Sequence, residues 1–180
     1  DKNHRGGKTD WEGGEMEAAA PVCLGDLSST LRHHHYHHHQ DQCEKAVDGL
    51  RTLLQDAIVG RLTLSSEDCA SFLDMLEDPH VAHLLSQSQA SFMAILRDLL
   101  QSQITNPTLV QVVAKGITAL SQYAESRFHA RECNMVDSLA DLTQSSECSQ
   151  QTKFLLLCCC ADLCTGGAEA PPASSDRVFS

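Results

Sequence analysis

Aromatic residues are scarce in this 180-residue chain: they make up 4% of it, with a single tryptophan, Trp11. A core large enough for such a chain must therefore be built from Leu, Ala, Val, Ile and Cys. Leu- and Ala-rich segments with few β-branched runs favour helix over strand. Positive charge is also short, 13 Lys and Arg against 24 Asp and Glu, for a net charge of -11. That balance excludes a general nucleic-acid surface, which needs a basic stripe, and disfavours an anionic membrane face. Long apolar runs are missing too. The longest, FLLLCCCA at 154–161, falls far short of the ~20 residues that span a bilayer. No phosphate-binding loop, dinucleotide fingerprint, HExxH or GxSxG motif occurs, so no catalytic chemistry is expected. No cofactor is expected either.

Cysteine is plentiful, but its pattern argues against a disulfide framework. Nine is an odd count, and Cys158, Cys159 and Cys160 are adjacent. Most of the nine sit within apolar helical patterns, where a free thiol behaves as a small hydrophobe. With no secretory leader pattern, and with proline blocking the triplet Asn106-Pro107-Thr108 for glycosylation, the expected compartment is cytoplasm or nucleus. Met16 opens MEAAAP in the manner of a translation start, and residues 1–15 read as an extension. The organisation expected is a disordered segment at 1–26, a His-rich segment at 27–43 open to helix, helical repeats over 44–165, and a disordered tail at 166–180.

From residue 44 the chain divides into helix-length pieces. EKAVDGLRTLLQDAIVG (44–60) carries an i, i+3, i+4 apolar stripe that ends at Gly60. The next piece, 65–79, opens on a Ser65–Asp68 capping-box pattern and stops before Pro79. Short and medium pieces follow at 80–87 and 91–104. Then comes a long one over 106–125, with Asn106 as N-cap and Pro107 at the first helical position. Pieces at 127–133, 135–145 and 149–164 complete the series. The medium pieces repeat: LRTLLQDAI at 50–58 and LRDLLQSQI at 96–104 share six of nine positions, and LADLTQS at 139–145 is a weaker third copy. The matches include polar Gln55, Gln101 and Gln144 as well as leucines. Short, medium and long helices cycling every ~40–46 residues are the mark of a helical solenoid.

In this cadence the segment NPTLVQVVAKGITALSQYAESRFHARECNMVDSLADLTQSSECSQQTKFLLLCCCADLC resembles the armadillo-type (ARM/HEAT-like) helical repeat family. The resemblance implies an all-α, armadillo-like right-handed α-solenoid of about two and two-thirds repeats. It also implies a non-enzymatic protein–protein interaction scaffold, either the N-terminal part or a short isoform of a longer solenoid. The long third helices would line a concave groove, which puts Thr108, Gln111, Lys115, Thr118 and Gln122 towards a protein partner. Trp11 lies outside the repeats, so a Trp-ladder grip on basic peptides is not expected. Between the first and second helices of a repeat, where the family usually has glycine, this chain reads ECNMV.

The last long helix is apolar almost all round and needs cover on more than one side. Leu156 and Cys159 are accordingly expected at an apolar C-terminal contact with a protein partner or a second copy. Two other readings stay open: a His/Cys-rich metal-binding helical domain, with His33, His34, His35, His37, His38 and His39 as the ligand tract, and a self-associating helical bundle. The His129/Cys133 pair has the i, i+4 reach of a dyad but no third orienting group.

Overall fold

The computed structural model describes residues 23–33, 40–88 and 92–165. Among the described residues the chain is all-helical. The helices are α1 (Leu24–His33), α2 (Gln40–Ile58), α3 (Ser66–Glu77), α4 (Pro79–Ser86), α5 (Phe92–Ser102), α6 (Pro107–Leu120), α7 (Ala124–Glu132), α8 (Met135–Gln144) and α9 (Gln150–Thr165). Residues 1–22, the tract His34–His39 and the tail 166–180 lie outside the described residues.

Local chemistry sets the boundaries. Gly60, at φ 79°, turns the chain out of α2 in the left-handed region that glycine enters freely. Ser65 Oγ accepts from the Asp68 amide at 3.1 Å while the Asp68 carboxylate accepts from the Ser65 amide at 2.9 Å, closing the capping box of α3. Asp78 ends α3 and caps α4, accepting from the His80 and Val81 amides ahead of which Pro79 needs no partner. Asn106 accepts from the Leu109 amide at the start of α6. Asn134, at φ 53°, makes the left-handed turn into α8. Asparagine is the non-glycine residue best suited to that conformation, which accounts for ECNMV without glycine.

Two boundaries differ from the sequence reading. α1 begins at Leu24, inside the segment expected to be disordered, because Leu24, Leu27 and Leu31 form a buried stripe at helical spacing. Against α2 and α3 that stripe has a surface to cover. α6 stops at Leu120 instead of running to about residue 125. There Ser121 and Gln122 turn, and the Arg127 guanidinium donates to the Ser121 carbonyl at 2.8 Å.

The helices pack in succession. α3 lies on α6 and α6 on α9, forming one row; α2 lies on α5 and α5 on α8, forming another. α1 packs on α2 and α3, whereas α4 packs on α3 and α6 of the first row and α7 on α5 and α8 of the second. The core is continuous and aliphatic, with Leu50, Leu54, Leu76, Leu96, Leu99 and Leu139 wholly or almost wholly buried. Each such leucine contributes ~1.5–3 kcal/mol by leaving water. Among the described residues, Phe72 and Phe92 are its only fully buried aromatics, with Tyr123 packed against it.

Four of the polar ties between helices share a spacing, whereas the Cys160 thiol donates to the Val136 carbonyl only 24 positions away. Gln103 donates to the Ala57 carbonyl, Tyr123 to the Pro79 carbonyl, Thr118 to the Asp162 carboxylate, and the Cys159 thiol to the Ala114 carbonyl. The partners are 46, 44, 44 and 45 positions apart, respectively. Arg97 to the Cys133 carbonyl spans 36.

Candidate functional site

The three helices of the first row have the same surface pattern when each is counted from its own first residue. The seventh position is buried in all three (Phe72, Val113, Leu156), as is the tenth (Met75, Gly116, Cys159). The second, fifth and ninth are exposed in all three: Glu67, Ala70 and Asp74 on α3, Thr108, Gln111 and Lys115 on α6, Gln151, Phe154 and Cys158 on α9. Spacings of three and four residues put each trio on one side of its helix. α3 packs on α6 and α6 on α9, so the trios stand at matching positions of successive helices.

Of the residues expected on that surface, the structure brings Thr108, Gln111 and Lys115 together and exposes them. Thr118 is only half-buried and is committed within the chain. Its hydroxyl donates to Asp162 Oδ2 at 2.8 Å and lies 3.9 Å from Cys159 Sγ. Gln122 is exposed but sits in the turn beyond α6, off the helical stripe.

Leu156 and Cys159 are a correction. Expected as an outward apolar contact, they are buried at 0% and 1% exposure, seated against α6 and α8. An apolar helix in contact with two neighbours hides the residues that point between them. The outward residues of α9 are instead Phe154, 67% exposed, and Leu157, 54% exposed, together with Cys158 and Ala161. Sequence reasoning missed Phe154 and Cys158 as members of the surface. They occupy the same helix positions as Gln111 and Lys115, a correspondence that shows only once α9 is laid beside α6.

Electrostatically the surface grades along the row. Glu67 and Asp74 lie at the α3 end, with Asp74 3.7 Å from Arg32 of α1. Lys115 is central, and the α9 end, Gln151, Phe154 and Cys158, bears no carboxylate or cation.

Burial makes the interior thiols poor nucleophiles. Burial pushes the Cys159 thiol up to about 12, in spite of the contact with the Thr118 hydroxyl, which opposes it. Burial likewise raises Cys69, Cys133, Cys148 and Cys160. The Cys133 thiol donates to the Ala130 carbonyl at 3.5 Å, an ordinary helical contact. All nine cysteines are free. Among the described residues no three His, Cys, Asp or Glu side chains are grouped to hold a metal. His33 ends α1, and the rest of the His tract lies outside those residues. Among the described residues no helix is long and apolar enough to cross a membrane.

Comparisons with protein-family models, with curated proteins and with solved structures each found no match.

Proposed function

We propose that the chain is a non-enzymatic protein–protein interaction scaffold built as an armadillo-like right-handed α-solenoid of about two and two-thirds repeats. The observation that carries this reading is the common spacing of the ties between helices, 44 to 46 positions for Gln103–Ala57, Tyr123–Pro79, Thr118–Asp162 and Cys159–Ala114. Bonds of differing chemistry thus tie helices at one sequence interval, which supports a stacked array. The surface of Thr108, Gln111, Lys115, Phe154 and Cys158 is then the concave wall of the array. Its partner is a protein segment, with an apolar side chain at Phe154 and polar contacts at Gln111 and Lys115. No nucleic acid and no membrane is involved, and the scaffold works in cytoplasm or nucleus.

Small-angle scattering from residues 23–165 tests the architecture. An elongated particle is expected, and a globular one is incompatible with a stacked array. Affinity capture with the wild-type chain and a Lys115→Glu/Phe154→Asp variant tests the surface. Loss of partners from the variant is expected, and recovery of an identical set removes the groove assignment.

A further inference from the structure

The run CCCADLC puts four thiols near the end of α9, and helical geometry sends them to different places. Cys159 faces α6, where it is buried and donates to the Ala114 carbonyl. Cys158 is exposed and, two residues before Cys160, lies across the helix from it. Cys160 and Cys164 are four residues apart, so they share one side of α9, one turn after the other. Cys160 is half-buried beside α8, with its thiol 3.9 Å from the Val136 carbonyl, and Cys164 is exposed. Burial raises the Cys160 thiol, and the neighbouring Cys164 adds to the rise.

The separation of the pair decides its chemistry. Residues four apart on a helix have Cβ atoms ~5–6 Å apart, whereas a disulfide needs ~3.5–4.5 Å. Joining the two sulfurs directly would therefore distort the last turn of α9. A metal ion between them, ~2.3 Å from each sulfur, spaces them ~4.6 Å apart, which side-chain rotation reaches with the helix intact. Two ligands are too few for zinc, which takes four. Among the described residues no third His, Cys, Asp or Glu joins the pair. Thiolates alone, at a coordination number of two, suit a soft monovalent ion. The thiol of Cys160 is a weak donor to the Val136 carbonyl, a contact that a metal displaces easily. Cys164 opens the pair to solvent.

We infer that Cys160 and Cys164 form a two-coordinate site for copper(I) on the side of α9 next to α8. Binding forms two sulfur–copper bonds and releases the two thiol protons to solvent, with no change of oxidation state. The site lies within one helix, so it is independent of the stacked architecture and of the groove proposed above.

The test is anaerobic titration of the reduced full chain with copper(I), in competition with bicinchoninate, whose copper(I) complex is coloured. The wild-type chain is expected to withhold one equivalent that Cys160→Ser and Cys164→Ser each bind at least about tenfold more weakly. Cys158→Ser, at an exposed position across the helix, keeps the wild-type affinity. Acidification is a second readout: release of two protons weakens binding by up to about a hundredfold per pH unit, against about tenfold for a single thiol. Cys164 is exposed, so its serine variant keeps the fold and decides the matter even where Cys160→Ser unfolds α9. Unchanged affinity in Cys164→Ser overturns the inference. So does an equal loss in Cys158→Ser, since scattered surface thiols are then the ligands, or a pH dependence of one proton.

Discussion

Gly116 of α6 lies so close to Leu76 of α3 that a Cβ placed on the glycine would overlap Leu76 Cδ1, with Cγ and Cδ2 at 3.4 and 3.6 Å. Leu76 is fully buried and has no free space to move into. Alanine is the better helix former by ~1 kcal/mol, yet overpacking a dense core costs ~1–3 kcal/mol. Gly116→Ala is therefore expected to lower stability by about 1 kcal/mol. In a Leu76→Ala background the same change should become stabilising, and a thermal-denaturation double-mutant cycle reads the reversal. Additive effects would show that the two residues are not in contact.

The Thr118–Asp162 hydrogen bond ties α6 to α9 across 44 positions. Thr118→Val keeps the shape and removes the donor, with an expected loss of about 1 kcal/mol in urea unfolding. Asp162→Asn still accepts from the hydroxyl and should cost less. Equal losses would mean that the carboxylate charge, and not the bond, is what matters.

Cys159 makes stability fall at alkaline pH. The folded chain holds its proton up to about 12, whereas an unperturbed thiol releases it near 9.0. Between those values the unfolded chain binds fewer protons, so stability declines as pH rises, by at most ~1.4 kcal/mol per pH unit. The contribution is fully present below pH 9. Urea midpoints measured from pH 8 upward should fall less steeply in Cys159→Ala than in the wild type. Parallel slopes would assign the decline to other groups.

Asn134 tolerates its positive φ because its short side chain suits the left-handed region. Asn134→Gly is expected to be neutral within a few tenths of a kcal/mol, and Asn134→Val to lose ~1–2 kcal/mol. Melting temperatures of the two variants decide it. A well-tolerated valine would show that the turn can take another conformation.

Much of the fold was legible because helix boundaries are local chemistry. Ser65 with Asp68, Asp78 before Pro79, Asn106 before Pro107, and Gly60 each fix a terminus within a few residues of chain, and the structure has each of them in that role. α1 was not legible. Its Leu24, Leu27 and Leu31 become a helix face only when α2 and α3 are there to receive them. Half of the candidate surface could be read from α6 alone, as Thr108, Gln111 and Lys115. Phe154 and Cys158 could not be added before α9 was laid beside α6 in matching register.

By itself, the sequence determined where helices start and stop, which stripe of each is apolar, and that the core is aliphatic. These follow from hydrogen bonds and periodicities contained within some four residues of chain. Tertiary structure alone decided which side of α9 is hidden. Phe154, Leu156, Leu157 and Cys159 are equally apolar to any local reading, and only contact with α6 and α8 buries Leu156 and Cys159 while leaving Phe154 and Leu157 in water.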